Sequence, residues 1–135
     1  MTYLVDANVL SEPTRPSPAT QVVDWLSANE RTLVVDSIVL GELYLGVLSL
    51  PAGSRRTRLE QWFEAISKTI LCLPWDASVC RQWAKLVVAL KRKGNPVPLL
   101  DGMIAATALE HGLTVATRNV NDFKHTGVKV VNPFA

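Results

Sequence analysis

The sequence predicts an α/β protein, a three-layer α/β/α sandwich around a central, mostly parallel sheet of four to five strands. Short β-prone runs recur along the 135 residues, and segments with helical spacing of apolar side chains separate them. Parallel neighbours require crossover connections of this kind, whereas antiparallel neighbours can be joined by tight turns. A 48% hydrophobic composition supplies a packed core at a length suited to one domain, residues 1–135. Cys72 and Cys80 are too few and too poorly spaced for a disulfide framework or a CxxC site, and they read as reduced core thiols.

Taken in order, Tyr3-Leu4-Val5 is a β-prone run that ends at Asp6. Asp6-Ala7-Asn8 then turns into a short helix, Val9 to Glu12, which Pro13 is expected to stop. Ser17-Pro18 has helix-start chemistry, with Val22, Val23, Trp25 and Leu26 as the apolar face. Thr32 to Val35 is a second strand. Asp36 or Ser37 can cap the next helix, Ile38 to Leu50, whose apolar residues occupy nearly every side and predict burial on most of its circumference. Gly41 and Gly46 on that helix would admit a closely packed backbone. Leu59, Trp62, Phe63 and Ile66 mark a helix within Ser54 to Ile70, Leu71 to Pro74 a strand, and Ala77 to Lys93 another helix. After the Gly94 to Pro98 loop, an Ala-rich helix runs from Leu99 to His111 and closes at Gly112. Leu113 to Thr117 and Val128 to Val131 complete the strands.

In an open parallel sheet the binding crevice lies outside the carboxyl ends of the strands, so polar residues placed there come first. Asp6 follows the first strand, with Asn8 beside it. Glu42 sits among Leu40, Leu43, Leu45, Val47 and Leu48, where an unpaired carboxylate is costly and must be protonated, paired or bound to a cation. Asp101 lies in the first turn of its helix, where the peptide dipoles favour negative charge. Thr117, Asn119 and Asp122 follow the fourth strand. Were the carboxylates to converge at about 5 Å in an effective dielectric near 20, each ionised pair would repel by roughly 3 kcal/mol. All-oxygen donors suit Mg²⁺ or Mn²⁺ rather than zinc, for which the chain offers no Cys/His set. Such ions serve phosphodiester hydrolysis. Neither GxGxxG nor GxxxxGK[ST] is present, which removes the usual nucleotide-binding loops.

The net charge of +2 is small for a nucleic-acid binder, but Arg55, Arg56 and Arg58 form one basic group and Lys91, Arg92 and Lys93 another. The first residues lack the basic and apolar regions of a signal peptide, and the longest apolar stretch, Ile38 to Leu50, is broken by Glu42. The expected location is the cytoplasm, with no membrane association.

The residues Leu4 to Glu12, Gly41-Glu42-Leu43 with Gly46, Leu100 to Ala108, and Thr117-Arg118-Asn119 through Asp122-Phe123 together resemble the PIN-domain ribonucleases. The resemblance is to the VapC toxins of type II toxin–antitoxin pairs and their FitB-like relatives. It implies an Mg²⁺ or Mn²⁺ site led by Asp6, Glu42 and Asp101, endonucleolytic cleavage of RNA, homodimers, and inhibition by a small DNA-binding, VapB-like antitoxin. Where the family often has a fourth acid this chain has Asn119, so that Asp122 or Asn119 is the expected fourth group, with Asn8, Ser37 and Thr117 in support. Two other classes compete. A receiver-like signalling domain would use Asp36 as phosphoacceptor, and a metal-stabilised module would grip RNA or protein without cutting it.

Overall fold

Residues 1–135 are described by a computed structural model. Five strands form one sheet: β1 (Tyr3–Val5), β2 (Leu33–Asp36), β3 (Leu71–Leu73), β4 (Thr114–Ala116) and β5 (Lys129–Val131). Their order is β3-β2-β1-β4-β5, and every pairing is parallel. Central position follows apolarity: Leu4, Val5, Val35, Val115 and Ala116 are fully buried on β1, β2 and β4, while Leu71 on the edge strand is exposed.

The helices are α1 (Ala7–Ser11), α2 (Thr20–Ala28), α3 (Ser37–Leu48), α4 (Ser54–Thr69), α5 (Ala77–Arg92) and α6 (Leu99–His111). They cover both sides of the sheet. The expected extent of α6 matches residue for residue, and Gly112 ends it in the left-handed region at φ 65°, where glycine carries no Cβ penalty.

The first helix stops before Pro13 as expected: α1 ends at Ser11, and the chain continues through a 3₁₀ turn, Glu12–Thr14, whose first turn tolerates a residue without an N–H. Three local expectations need correction. Ser17-Pro18 does not start α2. The cap is Ala19, whose N–H donates at 2.9 Å to Oε2 of buried Glu12, so a distant carboxylate does the work a local serine was expected to do. Nor is α3 buried all round. Val39, Leu43 and Val47, spaced by four residues, form its buried stripe, whereas Leu45 is 67% exposed and Tyr44 and Leu48 also face outward. Beyond the adjoining turns of α3 itself, no atom lies within 4 Å of where a Cβ on Gly41 or Gly46 would stand, so the expected close contact with another backbone is not made within the chain.

Helix α6 does pack closely. Gly102, Ala105, Ala106 and Ala108 are buried, and a Cβ on Gly102 would stand 2.9 Å from Cγ1 of Val97. Small residues thus set α6 against α5 and the loop before it, which fixes the height of Asp101 beside Gly102. No helix is long and apolar enough to cross a membrane.

Candidate active site

From β1 the chain steps outward through β2 to β3, then returns to the other side of β1 for β4 and β5. The carboxyl ends of β1 and β4 therefore flank the point where connections diverge and a crevice opens. Asp6 follows β1 and Thr117 follows β4. Asp6 Oδ1 accepts the Val9 N–H at 3.0 Å and caps α1, while Oδ2 accepts the Thr117 hydroxyl. The Asp6 N–H donates to the Ala116 carbonyl at 3.0 Å. Capping and pinning thus coincide in one residue, which is only 6% exposed. Burial raises its carboxyl above the ordinary aspartate range, against the lowering influence of these hydrogen bonds.

Three further acids stand around it. Glu42, midway along α3, is half-buried; burial raises its pKa first, and the charges of Asp101, Asp6 and Asp36 raise it further. Asp101 in the first turn of α6 is pushed up to about 6 by burial, by a hydrogen bond with Asp122, and by the charges of Asp122 and Asp6. Asp122 belongs to a 3₁₀ turn, Val120–Phe123, anchored by buried Phe123 and closed by the Asp122 N–H on the Asn119 carbonyl at 3.1 Å. Asp6, Glu42, Asp101 and Asp122 thus share one electrostatic neighbourhood, assembled from four segments. They do not stand as a closed ligand cage, since no three acidic, His or Cys groups lie at metal-ligating spacing.

The supporting residues divide by task. Thr117 holds Asp6 and in turn accepts the Asn119 N–H at 3.0 Å, so Asn119 contributes its backbone while its side chain is exposed. Exposed Asn8 lines a cleft with Glu42, Ala7, Ser11, Arg15 and Trp62. Ser37 uses its hydroxyl elsewhere, donating to the Leu73 carbonyl at 3.3 Å and accepting the Trp75 N–H at 3.1 Å. It ties the start of α3 to the segment after β3.

One bond escaped the sequence reading. Asp36, fully buried, caps α3 as expected, through the Val39 N–H at 2.9 Å, but it also accepts the Thr107 hydroxyl at 2.7 Å. Thr107 is the one polar residue in the buried run Ala105 to Ala108, a pattern that signals a hydroxyl with a buried partner. Total burial also removes Asp36 as a phosphoacceptor. The receiver reading fails on topology as well, because such folds follow the order 2-1-3-4-5 and place β3 beside β1.

Comparison with known proteins follows the same lines. A family profile described as "PIN domain" matches residues 3–129. The protein named "VapC ribonuclease Y4jK" of Sinorhizobium fredii is 36% identical over 135 residues, covering 97% of this chain and 96% of its own. "Toxin FitB" of Neisseria gonorrhoeae is 38% identical over 135 residues, covering 97% of each. The solved structure titled "Structure of FitAB bound to IR36 DNA fragment" contains a chain that superposes with a TM-score of 0.93 at 36% identity, over 99% of this chain and 96% of that one.

Proposed function

The chain belongs to the PIN-domain family, among the VapC- and FitB-like ribonuclease toxins of toxin–antitoxin pairs, and from that premise we propose that it is a metal-dependent endoribonuclease of the cytoplasm. The observation that carries this reading is the hydrogen bond by which Thr117, after β4, holds Asp6, after β1, with the charge of Asp6 felt by both Glu42 and Asp101 and that of Asp122 by Asp101. The Asp6, Glu42 and Asp101 carboxyls, each raised by burial, suit a hard divalent cation, which relieves repulsion among them. Asp6, Glu42 and Asp101 would hold Mg²⁺ or Mn²⁺, with Asp122 or Asn119 completing the donor set. Such an ion supplies Lewis acidity toward a phosphodiester and generates a nucleophile from water.

The chain's own groups prepare that chemistry. The Val9 N–H and the Thr117 hydroxyl fix the two oxygens of Asp6, so its orientation is set before substrate arrives. Burial and the charges of Asp122 and Asp6 favour the protonated form of Asp101, and that proton must leave before its carboxylate can serve a cation. In its regulation the protein pairs with a VapB-like antitoxin, a reading supported by the FitAB complex to which the chain is similar. It also forms homodimers, for which the exposed Tyr44, Leu45 and Leu48 on α3 offer an apolar contact surface.

The test is cleavage of a structured RNA by purified protein in Mn²⁺ or Mg²⁺. Cutting is expected to stop in EDTA, to return on adding metal back, and to be absent from a folded Asp101→Asn variant. Cutting that continues in EDTA overturns the reading. Sedimentation of the free protein tests the dimer, which is expected to fall apart on Leu45→Lys.

A further inference from the structure

With a net charge of +2 and four acids at its centre, the protein has little general attraction for a polyanion. Affinity for RNA, on the ribonuclease reading above, must come from positive charge concentrated beside the acids. The sequence offers two basic groups, and the structure separates them. Lys91 and Arg92 occupy the last turn of α5, where cations complement the negative end of the helix, and this placement explains them without a ligand. Arg55, Arg56 and Arg58 occupy the opposite situation. They lie at the start of α4, the positive end, where helix stability favours acids and the first turn has none. Nor does a side chain cap this end. Helix energetics alone thus disfavours Arg55 and Arg56 in that first turn, with Arg58 just beyond it.

Arg56 is accounted for locally, since its Nε donates to Glu60 at 2.8 Å. Arg55 and Arg58, three apart and so on one face, turn instead into a depression completed by Thr14, Arg15, Pro16 and Leu59. No acidic residue lines it. Arg15 arrives from a distant part of the chain; its ion pair with Glu12 is long, at 3.8 Å, and its exposed side chain leaves donors free. Thr14, Arg15, Arg55 and Leu59 also line the cleft that contains Asn8 and Glu42, so the depression runs on as far as Glu42, one of the four acids.

We infer that Arg15, Arg55 and Arg58 form a phosphate-binding site that docks the backbone of the RNA strand whose neighbouring phosphodiester lies at the carboxylate centre. A nucleic-acid strand carries charge at every nucleotide, so it can meet the arginines at one phosphate and the reacting centre at another. Guanidinium forks match phosphate oxygens in pairs, which favours arginine here over lysine. The site contacts backbone and therefore adds affinity and register without base preference.

The decisive variant is Arg55→Ala with Arg58→Ala, compared with Arg56→Ala and Lys91→Ala. Binding of a fluorescein-labelled structured RNA is followed by anisotropy in EDTA, where nothing is cut, across a salt series. The double variant is expected to bind roughly tenfold more weakly, with a log–log salt slope shallower by about one per lost phosphate contact. Its KM for RNA should rise with kcat unchanged, and the two controls should match the parent. Its melting temperature should hold or rise, because cations leave the positive end of α4. Equal affinity and equal salt slope overturn the proposal. So does unchanged RNA binding with weakened capture of a co-expressed antitoxin, which would make the depression a protein contact. Weaker binding in a parent protein that never cuts RNA would leave this site standing and remove only the nuclease reading.

Discussion

β1 and β2 end alike and serve different ends. Each delivers an aspartate, Asp6 or Asp36, whose Oδ1 caps the following helix through the N–H three residues on, at Val9 or Val39. In each the other oxygen accepts a threonine hydroxyl, from Thr117 or Thr107, and burial raises both carboxyls. The difference lies across the sheet. Both aspartates act on Glu42, but only Asp6, at the divergence between β1 and β4, also acts on Asp101, whereas Asp36 is bonded to Thr107 on α6 and is sealed at 0% exposure. Asp36 therefore holds rather than reacts. Glu42 lies six residues after Asp36 on α3, and Asp101 lies six before Thr107 on α6. A single buried hydrogen bond thus joins the two helices that carry the outer acids. An acid after a strand is common to both places, and on the proposed function the local topology decides which one meets a substrate.

The largest contrast should come from removing charge at each aspartate in turn. Asp6→Asn keeps a cap oxygen for Val9 but loses the ionised ligand, and the cleavage rate should fall on the order of a thousandfold, as when a group aimed at developing charge is removed. Asp36→Asn should cost stability and leave most of the turnover. Comparable rate losses in two folded variants would erase the distinction. Next in size is Thr117→Val, which frees an oxygen of Asp6 without touching the acids. A loss of about 10- to 100-fold in activity or Mn²⁺ affinity is expected, with Thr117→Ser restoring most of it. Mn²⁺ affinity is read by calorimetry, separately from cutting.

Thr107→Val sharpens the comparison from the buried side. It leaves Asp36 Oδ2 without its hydroxyl partner in a site closed to water, a loss worth about 1–3 kcal/mol. Denaturant unfolding should show that cost, and Thr107→Ser should recover it. Because the lost bond joins α3 to α6, Mn²⁺ affinity should weaken along with stability. An unfolding midpoint equal to the parent's would show that the Asp36–Thr107 bond holds nothing.

How much of this was legible in sequence depends on whether the cause was local. The strand–helix alternation fixed the layers, and Asp6, Glu42 and Asp101 stood out because each sat where its residue type needed a reason. Glu42 is the clearest case, a carboxylate in a helix whose other residues are largely apolar. What could not be read depends on contacts between distant segments. Glu12 supports the start of α2 in place of Ser17, and Arg15 joins Arg55 and Arg58 only after folding. The outward face of α3 was misread for a related reason: an apolar helix looks the same whether its second face meets its own core or something else. Thr107 did leave a trace, a hydroxyl inside an alanine run, but its partner lies on another element and no spacing rule connects them.

The smallest effect concerns protons, and it separates Asp101 from Asp36 by their access to ions. Asp101 titrates at about 6 in the folded chain against 3.8 for an ordinary aspartate, so its protonated form favours folding. That contribution is complete below the unfolded value and is lost as pH rises through about 6. Asp6, Glu42 and Asp36 are also raised and act in the same direction. The metal-free protein should accordingly melt at a lower temperature at about pH 8 than at about pH 5, by roughly a few degrees. Saturating Mn²⁺ competes with the proton, so the gain in melting temperature on adding it should grow across the same interval. Asp101→Asn should flatten both the metal-free slope and the growth of the Mn²⁺ gain. Asp36→Asn should reduce only the metal-free slope, because its sealed carboxyl exchanges a proton on unfolding but never meets the ion. If Asp36→Asn instead abolished the Mn²⁺ response while Asp101→Asn left it intact, the sealed aspartate would be the one that meets the ion and the holding role assigned to the end of β2 would fail.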